Sequence, residues 1–151
     1  MHQCEPQAGF TMIEMIVVII IIGVLAVVAV PRMLGKSEFE AYAFNDEAQA
    51  VVRYAQKTAI AQRRPVYVVI SASSIQACFT DATCATNVPS PSKPGAGLTA
   101  TAPSGTTLSP ATSFFFNGLG VPSIASNLTV TMGSSVSRQF TVQAQTGLVH
   151  E

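Results

Sequence analysis

The sequence predicts an α+β protein, in which a long N-terminal helix, partly transmembrane, leads into a mainly antiparallel β head of two packed sheets. Three observations predict this fold. A run of nineteen residues, Met12 to Val30, contains no charged residue except Glu14. Residues 37–62 then carry apolar side chains at helical spacing. From residue 65 onward, short segments alternate apolar and polar residues between turn-forming residues, which is typical of strands.

The composition argues against several classes of function. The chain has 151 residues, which is enough for one modest domain and an anchor. Its formal net charge is zero, so the overall charge favours neither nucleic acid nor an acidic partner. Two histidines, His2 and His150, are a poor inventory for acid–base catalysis or a histidine-rich metal site. We therefore expect no enzymatic activity, no catalytic residue, no metal and no cofactor.

Residues 10–31 are predicted to form a transmembrane helix. A helix of about 20 apolar residues spans the hydrocarbon core of a bilayer. The alternative is a cleaved secretory signal peptide, which has a shorter apolar region followed by a small-residue cleavage site. Here the apolar run continues through Val27, Val28 and Val30 to Pro31. A retained anchor is therefore favoured.

The residues before this run carry a family resemblance. Gly9-Phe10-Thr11-Met12-Ile13-Glu14, followed at once by the apolar segment, resembles the class III signal of type IV prepilins and pseudopilins. The resemblance implies that residues 1–9 are a leader and that a prepilin peptidase cuts between Gly9 and Phe10. It also implies N-methylation of Phe10 and a single-pass protein of the bacterial inner membrane with its head in the periplasm. A glycine suits the cleavage site because it lets a protease approach the backbone closely.

Glu14 then acquires a hypothetical role in assembly. After cleavage, Phe10 carries a positive amine, and Glu14 lies one helical turn further on. In a filament, Glu14 of one subunit could pair with the Phe10 amine of its neighbour. A charge at the centre of a membrane helix costs roughly 2.5–3.5 kcal/mol, which favours finding a partner. The alternative is that Glu14 lies near the membrane interface, where the helix dipole tolerates an acid.

Residues 32–64 are predicted to continue the helix as an amphipathic segment. One apolar stripe is formed by Phe44, Ala48, Val51, Val52, Ala55 and Ala59. The polar residues fall largely on other faces; they are Asn45, Gln49, Arg53, Gln56 and Lys57. If residues 10–61 formed one nearly continuous helix, it would be about 78 Å long. Pro31 is either a simple break at the membrane edge or a point of local melting during assembly.

Residues 65–151 are predicted to form the β-rich head. Alternating segments predict strands near 66–71, 75–79, 114–116, 128–132, 140–143 and 148–149. The first two segments can pair as a hairpin through residues 72–74. Residues 87–112 contain five prolines and many Ser and Thr residues, so they are predicted to form one long loop.

Two cysteines remain once the leader is removed. Cleavage after Gly9 removes Cys4 and leaves Cys78 and Cys84 in a chain exported to an oxidising space. We predict a small disulfide loop; the alternative is two reduced thiols. A zinc site is not favoured, because the spacing is not C-x-x-C and no histidine is near.

Three stretches of the head extend the resemblance. "VVRYAQKTAIAQRRPVYVVI", "FFFNGLG" and "FTVQAQTGLV" are similar to the minor pseudopilins of the GspH/FimT group. "NGLGVP" and "TVQAQTG" also resemble the MshC-like minor subunits of MSHA-type pili. The resemblance implies a minor pilin or pseudopilin that assembles with other pilins into a type IV pilus or a type II secretion pseudopilus.

Two other functions stay open as alternatives. The basic residues Arg53, Lys57, Arg63 and Arg64 could touch phosphate, as in a DNA-binding minor pilin for DNA uptake. The relatives that bind DNA share a basic C-terminal tail, which this sequence lacks, so nucleic acid is not an expected partner. The other alternative is a signal-anchored periplasmic protein such as an enzyme, but no catalytic spacing is recognisable.

Overall fold

A computed structural model describes residues 10–34, 36–80, 83–133 and 137–151. The predicted leader, residues 1–9, lies outside the described residues. The chain divides into two compact units, Met1–Lys36 and Ser37–Glu151.

The first unit contains helix α1, Met12–Leu34. Its backbone stays helical through Pro31 and ends three residues later, at Leu34. The sequence had placed the end of the transmembrane segment at residue 31. Among the residues that the structure describes, no helix meets the length and hydropathy needed to cross a membrane.

Helix α2, Lys36–Gln62, belongs to the second unit except for its first residue. The apolar stripe predicted for this helix is buried, with each member at most 3% exposed; it consists of Phe44, Ala48, Val51, Val52, Ala55 and Ala59. Five of these residues are Ala or Val, and Phe44 is the one large side chain in the stripe. The stripe joins one hydrophobic core with the inward side chains of the sheets.

Within the described residues, eight strands form two antiparallel sheets, which confirms the predicted α+β class and the two-sheet head. The first sheet has the order β3-β2-β1-β5. Its strands are β1 Val66–Ser71, β2 Ser74–Cys78, β3 Thr99–Thr101 and β5 Thr112–Phe116. The second sheet has the order β4-β6-β7-β8. Its strands are β4 Thr107–Ser109, β6 Leu128–Gly133, β7 Arg138–Val142 and β8 Val149–His150.

Strands β1 and β2 form the predicted hairpin. Ser71 pairs with Ser74, so Ala72 and Ser73 make the two-residue turn. Side chains along β1 alternate between buried and half-buried positions, because successive residues of a strand point to opposite faces. Val66, Val68 and Ile70 therefore face α2 and the core.

The long loop predicted over residues 87–112 is corrected by the structure. It contains two three-residue strands, β3 in the first sheet and β4 in the second. Each strand has one buried residue at its centre, Ala100 in β3 and Leu108 in β4. A single inward side chain gives no alternating pattern, so these strands are not visible in the sequence.

The head carries its own hydrophobic core. Every buried member of the core cluster lies between Phe44 and Val149. The largest fully buried side chains include Phe116, Phe140 and Ile75. Full burial of each such side chain stabilises the fold by about 1.5–3 kcal/mol. The second unit is therefore expected to fold without α1.

Candidate assembly surfaces

Thr11 caps the N-terminus of α1 and fixes the position of Glu14. The backbone N–H of Glu14 donates to the Thr11 hydroxyl oxygen at 3.3 Å and to the Thr11 carbonyl oxygen at 3.1 Å. A Thr followed three residues later by a Glu is the sequence of a capping box. The T-x-x-E spacing before an apolar run also marks a helix start, so Thr11 carries a structural signal beyond its place in the leader motif.

The side chains of α1 form an exposed apolar surface from Phe10 to Val27. Phe10 is 77% exposed and Met12 is 82% exposed. Glu14 is the one charged residue in this range. An exposed apolar surface of this extent marks contact with lipid or with other protein. The structure thus places Phe10 and Glu14 together at one end of such a surface, while Gly9 lies outside the described residues.

Gln56 joins α2 to two loops of the head, one that contains Gly120 and one that contains Thr146. Its side-chain amide donates to the carbonyl oxygens of Gly120 and Thr146, each at 2.9 Å. The first carbonyl lies in the "NGLG" stretch and the second in the "QAQTG" stretch. Both stretches carried the resemblance to the GspH/FimT group, so the structure brings together segments that are distant in sequence.

Two glycines allow the loops to pack this closely. A Cβ atom at Gly147 would lie 2.5 Å from the Gln56 amide nitrogen and 2.7 Å from the Gly120 oxygen. Gly147 also has a φ of +69°, in the left-handed region that favours glycine. A Cβ atom at Gly120 would lie 2.7 Å from the end of the Ile60 side chain. Larger residues at these positions would separate the loops from α2.

The C-terminus of α2 ends in a Schellman motif. The N–H of Arg64 donates to the Ala59 carbonyl at 3.3 Å, and the N–H of Arg63 donates to the Ile60 carbonyl at 3.3 Å. Arg63 has a φ of +49°, so it occupies the left-handed position that glycine usually takes. The "NGLG" loop passes over this point, since a Cβ atom at Gly118 would lie 3.0 Å from the Arg63 carbonyl carbon.

Polar side chains along one side of α2 bind the C-terminal end of the chain. The sequence does not predict this contact. Asn45 and Gln49 were placed on faces away from the core, yet they are only 2% and 4% exposed. Both side-chain amides donate to the Glu151 carboxylate. Arg53 donates to the Gln49 amide oxygen at 2.8 Å and to the Val149 carbonyl at 3.0 Å. Their spacing of four residues puts all three on one side of α2.

Two of the four basic residues near the end of α2 make contacts within the head through their side chains. Arg53 is bonded to Gln49 and β8, as described above. The Arg64 guanidinium lies 4.1 Å from the centre of the Phe79 ring, which is a cation–π arrangement. Arg63 is used in the helix cap, and Lys57 is exposed. Two of the four cations are therefore committed to contacts within the head.

Cys78 and Cys84 are joined by a disulfide, with their Cα atoms 5.1 Å apart. The disulfide closes a loop at the end of β2, and residues 81–82 within it lie outside the described residues. The Arg64 guanidinium stacks on Phe79, the first residue of this loop. The disulfide loop is thus attached to the end of α2 as well as to β2.

The described part of the chain contains no candidate metal site. Within residues 10–34, 36–80, 83–133 and 137–151, no group of three or more His, Cys, Asp or Glu residues is close enough to hold a metal ion.

Two family models match the chain. Residues 6–30 match the prokaryotic N-terminal methylation motif, and residues 46–147 match type II transport protein GspH. None of the curated proteins matches the chain.

The fold is similar to crystal structures of the type IV minor pilin FimU of Pseudomonas aeruginosa. In one crystal form the similarity covers 75% of this chain and 88% of FimU, with 16% identity and a TM-score of 0.55. In a second crystal form it covers 72% and 90%, with 16% identity and a TM-score of 0.52. The shared fold is that of a minor pilin, a helix followed by an antiparallel two-sheet head. The GspH match covers more than half of the chain, so this minor pilin or pseudopilin belongs to the GspH family.

Proposed function

We propose that the chain is a structural subunit, processed at its N-terminus and built with other pilins into a type IV pilus or a type II secretion pseudopilus. A prepilin peptidase cuts between Gly9 and Phe10, and Phe10 is N-methylated. Residues 10–31 anchor the subunit in the bacterial inner membrane, and the head folds in the periplasm. The subunit acts by assembly and carries out no catalysis.

The observation that carries this proposal is the arrangement at the start of α1. Glu14 is the one charge on an exposed apolar surface, and it lies one turn from the amine that cleavage would create on Phe10. In a filament, the Glu14 carboxylate pairs with the Phe10 amine of a neighbouring subunit. Such a pair is poorly solvated, and opposite charges attract more strongly there than on a protein surface.

The support for the anchor comes from the sequence and the family match. Met12 to Val30 is nineteen residues long with Glu14 as its one charge. The N-terminal methylation motif covers residues 6–30 and therefore includes the proposed cleavage site and the whole apolar run.

The first experiment is mass spectrometry of the native N-terminal peptide in sheared surface filaments and in membranes. A peptide that begins at N-methylated Phe10 in sheared filaments supports a pilus subunit, of either a type IV or an MSHA-type pilus. The same peptide confined to membranes supports a secretion pseudopilus. A peptide that begins at Met1 in both fractions contradicts the proposed processing.

The second experiment separates the charge of Glu14 from the helix cap. Glu14→Val is expected to leave membrane insertion intact and to reduce incorporation into filaments or pseudopili. Thr11→Val removes the capping hydroxyl but keeps the carboxylate, so it is the matched control and should assemble better than Glu14→Val. Normal incorporation of Glu14→Val, or an equal defect in both variants, contradicts the pairing role.

A further inference from the structure

Strand β3 is an open edge of the first sheet. It stands last in the order β3-β2-β1-β5, so it is paired on one side. The carbonyl oxygen of Leu98 accepts a hydrogen bond from β2, and the N–H of Ala102 donates to the turn between β1 and β2. Every second residue of an antiparallel strand directs its backbone groups to the same neighbour. Ala100 therefore also faces β2, and the backbone groups of Thr99 and Thr101 point away from it.

The outward backbone groups of β3 have no partner among the described residues. Thr99 and Thr101 are both exposed, and their N–H and C=O groups bond to no other residue that the structure describes. The two residues are about 6.8 Å apart along the strand, which is the repeat at which an added strand would pair. Such an edge is a template for a second extended chain.

A cavity of about 290 Å³ lies between this edge and α2. Ala50, Val51 and Tyr54 line it on α2, and Leu98 and Thr99 line it on the strand side. In an added strand, the residue opposite Ala100 points to the same face of the sheet as Ala100 does, because side chains alternate between faces. Ala100 is fully buried on the α2 side. The cavity therefore offers a place for one apolar side chain of the added strand.

Two opposite charges line the same cavity. Glu47 comes from α2, and Lys93 comes from the loop between β2 and β3. Both side chains are exposed, and neither forms an ion pair with another described residue. A segment that carries one basic and one acidic residue around an apolar residue is complementary to this arrangement.

We propose that β3 and this cavity bind an extended segment of another polypeptide by strand addition. The segment pairs with the outward backbone groups of Thr99 and Thr101 and inserts one apolar side chain beside Tyr54. Its basic residue lies next to Glu47 and its acidic residue next to Lys93. The site lies wholly in the head, so the inference goes beyond the processing and assembly proposed above.

The shortness of β3 explains why the cavity matters. A three-residue edge offers few hydrogen bonds, and short edge strands resist indiscriminate pairing. Main-chain hydrogen bonds supply affinity in strand addition, while pockets for alternate side chains supply specificity. The segment is therefore selected by the side chain that enters the cavity and by the two charges.

Fluorescence anisotropy of a labelled synthetic peptide tests the proposal on the full-length chain in detergent micelles. The peptide has a central valine with a threonine on each side, a lysine at one end and a glutamate at the other. We expect saturable binding. A matched peptide in which both threonine amides are N-methylated keeps every side chain but loses these donors, and it should bind at least about tenfold more weakly. Equal binding of the two peptides, or no binding of the first, overturns the proposal.

Thr101→Pro tests the same hydrogen bonds from the side of the protein. The N–H that it removes points away from β2, and proline is tolerated on an edge strand at such a position. We expect about tenfold weaker peptide binding. Thr101→Val is the matched control, because it removes the hydroxyl and keeps the N–H, so its binding should equal that of the unchanged chain. An equal loss in both variants overturns backbone pairing.

Lys93→Glu tests the charges through a change of preference. The unchanged chain should bind the lysine–glutamate peptide more tightly than a peptide with lysine at both ends. Lys93→Glu leaves two carboxylates at the cavity, so the order of the two peptides should reverse by a few-fold, as expected for exposed charges. An unchanged order overturns the proposal.

Photo-cross-linking locates the peptide and tests whether the occupant is instead a second copy of this chain. With a photoreactive group on the central side chain, mass spectrometry should find the label within residues 47–54 of α2. Label confined to other parts of the chain overturns the proposal. Self-association of the chain that Thr101→Pro abolishes, without an effect on peptide binding, would make a second copy the occupant and also overturns it.

Discussion

The side-chain amide of Gln56 lies 2.9 Å from the carbonyl oxygen of Gly120, and the same amide nitrogen lies 2.9 Å from the carbonyl oxygen of Thr146. One residue of α2 thereby fixes two loops that are separated by more than twenty residues of sequence. The turn in the first loop is held by its own contacts as well. The Asn117 side-chain oxygen accepts from the N–H groups of Leu119 and Val121 at 2.9 and 3.0 Å.

Replacing Gln56 should weaken the head. In Gln56→Leu the buried Gly120 carbonyl loses this donor. An unsatisfied buried acceptor costs about 1–3 kcal/mol, so the free energy of unfolding should fall by about that amount. Urea denaturation of residues 37–151 measures it. The matched control is Gln62→Leu at the exposed end of α2, and an equal loss in both variants would contradict the role of the amide.

Gly147→Ala should be more damaging than an alanine in an open turn. At Gly147 a Cβ atom meets the Gln56 amide and the Gly120 oxygen, whereas at Gly105 it meets nothing within 4 Å. Both glycines have positive φ, +69° and +84°. Gly105→Ala therefore reports the left-handed backbone cost, about 1–2 kcal/mol. Thermal denaturation should show a larger fall in melting temperature for Gly147→Ala than for Gly105→Ala. Similar falls would mean that the contact of the new Cβ atom with Gln56 and Gly120 is readily relieved.

Arg63→Gly should stabilise the head. Arg63 takes the left-handed position of the Schellman motif at some cost in backbone energy, which glycine does not pay. Relief of the left-handed backbone cost, about 1–2 kcal/mol, exceeds the entropy that glycine adds to the unfolded chain, about 0.4–1 kcal/mol, so we expect a net gain in the free energy of unfolding. Arg63→Ala is the control, because it removes the guanidinium and keeps the strained backbone. A loss of stability in both variants would show instead that the guanidinium contributes a contact.

Reduction of the disulfide should destabilise the head. Cys78 and Cys84 are six residues apart, and closing a loop of this size is worth about 2 kcal/mol in the chain-entropy description. Reductant should lower the melting temperature of residues 37–151, and alkylation should label both cysteines only after reduction. Cys78→Ala/Cys84→Ala serves as the control, since reductant should not change its melting temperature. Labelling before reduction would support the two free thiols.

The features that the sequence predicted are those with a repeated local pattern. The stripe that includes Phe44, Val51 and Ala59 is buried as its helical spacing required. The β1–β2 hairpin follows from alternation and a short polar turn. In both cases the pattern lies within one element, so no knowledge of its partners is needed.

The features that the sequence did not predict depend on partners from distant parts of the chain. Asn45 and Gln49 are buried because the last strand and Glu151 return to α2, and nothing near Asn45 signals that return. The loop contacts of Gln56 have the same origin. For the proposed assembly site, the sequence predicts Phe10 and Glu14, and the spacing of Thr11 and Glu14 also indicates the helix cap.

The polar side chains of α2 that bind the C-terminal end have a consequence for the order of events during export. Val149 is bonded to Arg53 and belongs to the core, although it stands almost one hundred residues after the helix that receives it. A chain that crosses a membrane from its N-terminal end delivers α2 first and β8 last. Asn45 and Gln49 therefore stay without their carboxylate partner until β8 and Glu151 have emerged. In the export that we propose, completion of the head is thus a late step that follows translocation, and an unfinished α2 is exposed to premature contact with a neighbouring subunit.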